Sequence, residues 1–316
     1  AAVAGYVASR LPLEWLRRLS RPAMLVTLLM LALVLVIGPA RNQSRRWIVF
    51  AGMSVQPSEF FKIAILLHLS THLAARERAN AFGHGAQLLQ ILFPVGLGVA
   101  LVLVAPDLGT SLFLVAEAVV LLGLAGVRPS RFVPAALIAL PALMFYGWRR
   151  FGHVRERIRL FTAPPEAGSQ IQESLVAVGS GGLVGRGLGE GTQKLGYVAE
   201  QKTDFIFSVI GEELGFLGAA GVVIAFMVFI WYGRKVAWEA RVLGPQAFYL
   251  AAGATFIVAF QALVNIAVVT ASAPTKGVSL PFISVGGSNL LMAGICVGLI
   301  ANVSRRTAEE VAGDLW

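Results

Sequence analysis

Two carboxylates, Asp204 and Glu212, have the types and spacing best suited to chemistry. They stand eight apart in the stretches Lys202-Thr203-Asp204-Phe205-Ile206-Phe207 and Gly211-Glu212-Glu213-Leu214-Gly215. Eight residues is about two helical turns, so both fall on a similar face. Carboxylates beside basic groups suit proton transfer next to an anionic leaving group. Asp204 also opens an apolar run, and Asp is a favoured helix N-cap, so a capping role stands beside the catalytic one. A second group gathers Arg45-Arg46-Trp47, Gln56-Pro57-Ser58-Glu59 and Lys62. Glu59 and Lys62 are three apart and share a helix face, either as an internal ion pair or as a pair turned to a substrate. Arg46 and Trp47 read equally well as interfacial anchors. Asp107, in Pro106-Asp107-Leu108-Gly109-Thr110, reads as the cap of the next helix.

A third group lies at Pro274-Thr275-Lys276-Gly277 and Leu280-Pro281-Phe282-Ile283-Ser284-Val285-Gly286-Gly287-Ser288-Asn289. Its prolines and glycines interrupt an apolar pattern, which is tolerated at membrane depth only where backbone is protein-buried or lines a cavity. Lys276 there can bind phosphate as a point charge or snorkel to the interface. Residues 179–191 hold seven glycines. Neither the dinucleotide pattern nor the P-loop pattern occurs among them, so a nucleotide site is not supported. The spacing predicts a closely packed or flexible re-entrant loop, where glycines let backbone approach backbone.

The elements that must position these residues follow from composition. The chain has 316 residues, 57% hydrophobic and 14% charged, against about 25% charged in soluble domains. Residues 23–40, 108–127 (broken only by Glu117) and 246–272 are apolar runs long enough to cross a hydrocarbon core, which takes about 20 helical residues. The full set of predicted spans is 1–9 (partial), 23–40, 59–74, 87–105, 108–127, 132–148, 208–232, 246–272 and 284–303. The chain therefore reads as all-α: one polytopic transmembrane bundle of about eight full spans plus a partial first one, forming a single domain over 1–316 with a long loop at 149–204. It opens without Met on an apolar stretch, as the tail of a span whose start lies outside this sequence.

Charge orients the bundle. One set of short connections carries 13 Lys and Arg and the opposite set 4, which places the first set in the cytoplasm. The loop 149–204 then falls outside with its 8 Lys and Arg. Long loops translocate with less regard to charge, and a basic external loop suits an anionic ligand. The net charge of +9 is not the footprint of nucleic acid, because the basic residues lie between apolar runs rather than on one patch. The single cysteine, Cys296, excludes an intrachain disulfide and a cysteine metal cluster.

Six stretches taken together resemble the SEDS family (shape, elongation, division and sporulation), which includes FtsW, RodA and SpoVE. They are RRWI at 45–48, QPSEFFK at 56–62, PDLGTS at 106–111, GLVGRGLGEGTQK at 182–194, TDFIFSVIGEELG at 203–215 and PTKGVSLPFISVGGS at 274–288. They occur in family order across almost the whole chain, and the PTKG stretch is closer to the division and sporulation branch. The resemblance implies ten spans, of which this chain lacks the first and most of the second. Lys202 stands where the family often has His, Val285 where it often has Tyr, and Ala163-Pro164-Pro165 near a frequent Asp-Pro.

The implied activity is polymerisation of peptidoglycan glycan strands from lipid II, a lipid-linked disaccharide peptide, at the outer face of the cytoplasmic (inner) membrane. The implied partner is a single-span class B penicillin-binding protein that cross-links the strands. The family's essential Asp falls on Asp204. In such a reaction a hydroxyl attacks an anomeric carbon and pyrophosphate departs, so a carboxylate base and cationic groups are needed. Arg46, Lys276, Glu59, Lys62, Glu212 and Ser288 are the residues expected to bind substrate. No metal ligands are assigned; a divalent cation, Mg2+ or Mn2+, is the one cofactor the leaving group admits. The alternative is a lipid II flippase without chemistry, which would need a polar path through the whole membrane, whereas the charges crowd the outer half. A secondary transporter would show inverted repeats with broken helices in both halves, and none is visible.

Overall fold

Every predicted span lies on a helix in a computed structural model that describes residues 1–39, 44–50, 53–78, 85–150, 152, 170–191, 204–274 and 277–313. The helices are α1 (Ala2–Arg10), α2 (Leu13–Ile37), α3 (Pro57–Arg78), α4 (Gly85–Val104), α5 (Leu108–Leu124), α6 (Val133–Arg150), α7 (Gln170–Ser180), α8 (Ile206–Glu239), α9 (Pro245–Val269) and α10 (Gly287–Gly313). A short antiparallel hairpin of β1 (Ile48–Phe50) and β2 (Met53–Val55) precedes α3, with Ile48 opposite Val55. By length and composition, five helices among the described residues can cross a membrane: α2, α4, α8, α9 and α10.

Three boundaries depart from the expectation. The α2 helix begins ten residues before the apolar run, because Arg17, Arg18 and Arg21 continue the helix beyond the apolar stretch. The α8 and α10 helices likewise run past their apolar stretches, to Glu239 and Gly313. The loop 149–204 contains an additional helix, α7. Positions 153–169 and 192–203 of that loop lie outside the described residues.

Two compact units emerge. The first comprises Ala1–Gly147, Tyr232–Ile257 and Leu291–Trp316; the second comprises Trp148–Trp231 and Val258–Leu290.

The first unit is organised around α3. Phe61, Ile63, Ala64, Ile65, Leu66, Leu67, Leu69, Leu73 and Ala74 are all buried, and so are Ser58, Glu59, Lys62, His68 and Ser70. A helix shielded on all sides can carry ionisable groups that a lipid-facing helix would expel. This explains why α3 is less apolar than its neighbours. Its packing is close: the Phe61 ring fills the space over Gly98 of α4, where an added Cβ would lie 2.0 Å from the ring. The His68 Nε2 sits 3.0 Å from the Ile91 carbonyl of α4. At the basic ends of the helices, Tyr249 donates to Glu77, and Arg241 lies over the rings of Trp238 and Phe248. The first helix is tied to α10 by Asn302, whose amide donates to the Ala8 and Leu11 carbonyls at 2.8 and 2.6 Å.

The second unit explains the glycines of 179–191. Helix α8 is interrupted at Gly215, with φ 66° and ψ −163°, a conformation essentially reserved for glycine. In an unbroken helix the Phe216 and Leu217 amides would donate to the Glu212 and Glu213 carbonyls. Here they donate instead to the Gly182 and Leu183 carbonyls, at 2.8 and 3.1 Å. The two vacated carbonyls accept from the Arg186 and Gly187 amides, each at 3.0 Å. The loop thus makes with the helix the two donors and two acceptors that the helix has withdrawn from itself. Such approach needs bare backbone: an added Cβ at Gly181 would meet the Gly211 carbonyl at 1.9 Å, and one at Gly185 the Glu213 carbonyl at 2.1 Å. The expectation of a closely packed loop is met over 181–191.

Candidate functional site

The first unit brings together the residues around Arg46. Arg45 donates to the Val36 and Leu35 carbonyls at 2.9 and 3.2 Å and so closes the end of α2. Arg46 reaches the turn before α5. Its Nε donates to the Ala105 carbonyl at 3.2 Å, its Nη2 to the Pro106 carbonyl, and its Nη1 stands 3.6 Å from Asp107 Oδ2. Asp107 in turn accepts from the Thr110 amide at 3.1 Å and caps α5, as its position in the sequence predicts. The guanidinium is therefore committed to holding a turn, and a ligand would have to compete with three protein acceptors.

One helical turn into α3, the Lys62 Nζ donates to Glu59 Oε1 at 2.8 Å. Both side chains are buried, and Lys62 also lies 4.5 Å from the centre of the Phe113 ring. Glu117, one turn beyond Phe113 on α5, is fully buried. Neither of its oxygens has a hydrogen-bond partner among the described residues. Of the two readings open for Glu59 and Lys62, an internal ion pair or a pair turned to a substrate, the geometry shows the ion pair. Glu117 was visible only as the single charge interrupting an apolar run, a signal that could have placed it in this cluster.

The second unit holds the residues around Asp204. Asp204 lies two residues before α8 and is buried. Its carbonyl accepts from Asn265 Nδ2 at 2.8 Å, and the same amide donates to the Val278 carbonyl at 2.6 Å. One turn earlier on α9, Gln261 donates to the Ser279 carbonyl at 3.0 Å and to Asn289 Oδ1 at 2.7 Å. Two buried amides on one helix face thus hold consecutive carbonyls of the interrupted stretch. The carboxylate of Asp204 packs on Gly277, where an added Cβ would stand 2.9 Å from Oδ2. The stretch then turns at Leu280–Ser284, where the Leu280 amide donates to Ser284 Oγ at 2.7 Å. Phe282 adopts φ 67° there, unusual for a residue with a bulky side chain. Ser288 is buried in the first turn of α10. Lys276 lies outside the described residues.

Glu212 is fully buried and its Oε1 lies 3.5 Å from Arg186 Nη1, while Glu213 Oε2 accepts from the Gly189 amide at 3.0 Å. Glu212 therefore belongs with the glycine loop, whereas Asp204 belongs with α9 and Gly277. The break at Gly215 turns the residues beyond it; at Glu212 the loop, not the spacing from Asp204, sets the surroundings. The spacing argument missed Gln261 and Asn265 altogether, although two amides one turn apart inside an apolar run are the kind of costly polar group that marks a site. Among the described residues, no three or more His, Cys, Asp or Glu side chains gather as a metal site would need.

A family model described as "Cell cycle protein", built on FtsW, RodA and SpoVE, matches residues 1–309. The chain belongs to this family. It is similar to a "Probable peptidoglycan glycosyltransferase FtsW" of Geobacter metallireducens, 38% identical over 307 residues, covering 95% of this chain and 80% of that protein. It is similar also to the "Stage V sporulation protein E" of Bacillus subtilis, 37% identical over 296 residues, covering 92% and 80%. Among solved structures, a chain described under "Structural coordination of polymerization and crosslinking by a peptidoglycan synthase complex" aligns with a TM-score of 0.77 at 27% identity, over 96% of this chain and 86% of that one. The rod shape determining protein RodA of Thermus thermophilus aligns at 0.68 and 28% identity, over 96% and 83%. For a member of the FtsW, RodA and SpoVE family, the six sequence stretches acquire a common context, and so do the buried charges of α3. This is a multi-pass membrane fold.

Proposed function

We propose that this chain is a peptidoglycan glycosyltransferase that polymerises glycan strands from lipid II at the outer face of the cytoplasmic membrane, with Asp204 as general base. The observation that carries the reading is the seat of Asp204. It is a carboxylate at the mouth of a span, in a TDFIF stretch, with its backbone pinned to α9 and its oxygen against bare Gly277. The 4-hydroxyl of an acceptor sugar attacks the anomeric carbon of a sugar on undecaprenyl pyrophosphate. The new C–O bond forms as the bond to pyrophosphate breaks, and the proton passes to Asp204. The transition state has oxocarbenium character, and a single displacement inverts the anomeric carbon.

The departing pyrophosphate gains charge. Lys276 is the cation assigned to it, because it lies in the interrupted stretch that Gly277 shares with the Asp204 carboxylate. A divalent cation, if used, would arrive with the diphosphate and neutralise its oxygens. Arg46 is assigned instead to the Pro106-Asp107 turn, on the strength of its three contacts. The loop 149–204 is assigned to the outer side, from the charge bias of the short connections. A penicillin-binding protein that cross-links the strands is the proposed partner, supported by the likeness to a chain of a peptidoglycan synthase complex.

The test is purified protein with lipid II and its cross-linking partner, assayed for glycan strands. Asp204→Asn should remain folded and bind lipid II, but its rate of polymerisation should fall by about 100-fold or more. Asn caps a helix about as well as Asp. An Asn variant with near wild-type turnover would therefore make Asp204 a capping residue and remove the base from this site.

A further inference from the structure

We infer that Asn265 is a positioning residue for the reaction: its buried amide sets where the Asp204 carboxylate stands against the 277–279 segment. The inference rests on the reading of Asp204 as the base. Its geometry stands on two hydrogen bonds, to the Asp204 carbonyl at 2.8 Å and to the Val278 carbonyl at 2.6 Å. Both neighbours are main-chain carbonyls, which only accept, so the orientation of the amide is fixed: its NH2 faces them and both its hydrogens are used. One side chain on α9 therefore joins two segments far apart in sequence.

The consequence runs through Gly277. Val278 is held by Asn265, and the residue before it is the glycine that receives Asp204 Oδ2. Gln261, one turn earlier, holds the next carbonyl, that of Ser279, and fixes Asn289 through its Oδ1. The seat of the carboxylate and the backbone that carries the carboxylate are thus referred to the same rigid helix face. The carbonyl oxygen of Asn265 is buried and has no hydrogen-bond partner among the described residues. An unmatched acceptor opposes stability, so the amide is better explained by the donors it directs than by stability alone. A base must stand within hydrogen-bond reach of the proton it takes, and a misplacement of about 1 Å can lower the rate about 100-fold.

The experiment measures lipid II polymerisation by the full purified chain carrying Asn265→Leu or Asn265→Gln, each made in the wild-type and in the Asp204→Asn background. Asn265→Leu should lower kcat by about 10-fold to 100-fold with KM within about 2-fold. Asn265→Gln keeps the donor on a longer arm and should recover part of the loss. In the Asp204→Asn background, Asn265→Leu should add no further loss, because it acts through a group already removed. A purely structural residue would weaken both backgrounds alike, and that result overturns the inference. So does unchanged kcat, or a loss carried by KM. If Asn265→Leu does not accumulate as folded protein, the kcat and KM of Asn265→Gln decide by the same criteria. High turnover of Asp204→Asn alone would overturn the base reading and the inference with it. A dead Asp204→Asn beside a fully active Asn265→Leu would overturn the positioning role only.

Discussion

Replacing Gly215 with Ala should separate the glycine loop from α8, by an amount that can be worked out. At φ 66° and ψ −163°, any other residue is strained by about 1–3 kcal/mol. The new Cβ would also stand 2.3 Å from the Gly185 nitrogen and 2.7 Å from the Leu183 carbonyl carbon and oxygen. Those are backbone atoms, so no rotamer change relieves the collision. The remaining route is for the helix to close through position 215, so that Phe216 and Leu217 again donate to Glu212 and Glu213. Four loop–helix bonds would then become two helical ones, a net loss of two hydrogen bonds at about 0.5–1.5 kcal/mol each. Either route lowers the stability of the clasp by about 2 kcal/mol, which accelerates local opening about 30-fold. Hydrogen exchange read by mass spectrometry is the assay. Peptides covering 183–190 should exchange about 30-fold faster in Gly215→Ala, while those covering 216–220 stay protected by the straightened helix. Wild-type exchange over 183–190 would refute the reasoning, since the loop would then be held by something other than the broken helix.

Three further outcomes are expected. Gly277→Ala puts a methyl group 2.9 Å from Asp204 Oδ2, so turnover should fall about 10-fold or more while lipid II affinity changes little; unchanged turnover would show that the carboxylate works from another position. Lys62→Met strands Glu59 as a buried carboxylate and should destabilise the protein by about 3–5 kcal/mol, while Glu59→Gln with Lys62→Met should restore most of that in denaturant titrations; a single variant as stable as wild type would mean the pair is hydrated. In a Cys296→Ser background, cysteine at Leu183 should react with an impermeant reagent from outside and cysteine at Lys235 only from the cytoplasm; the reverse pattern would invert the topology.

The helices were legible because apolar runs are a direct consequence of the solvent around them, and all of α1 to α10 except α7 follow those runs. The start of α2 was not, because a helix that extends past the hydrocarbon loses the apolar signal while its arginines keep their helical geometry. The Glu59–Lys62 pair and the Asp107 cap could be read locally, since each depends on residues three apart on one helix. The surroundings of Glu212 could not: they depend on the loop whose Arg186 meets it from 26 residues away and on the break at Gly215. Seven glycines in the loop indicated close approach but not what was approached. Asn265 and Gln261 stand inside an apolar run as single uncharged amides that barely interrupt its hydropathy, so their cost at depth leaves little mark on the pattern.

The clasp also bears on how the chain enters the membrane. Until residues 182–187 reach the helix, nothing can replace the bonds that Phe216 and Leu217 give up, and unpaired backbone is not tolerated in hydrocarbon. A nascent α8 must therefore be inserted as one continuous helix, with Gly215 able to adopt ordinary helical angles. The break is written afterwards, when the loop docks and trades its own donors and acceptors for those of the helix. Biogenesis of this fold thus has two chapters, threading of straight spans and then the opening of one of them. A chain with its glycine loop deleted should insert normally and stop after the first.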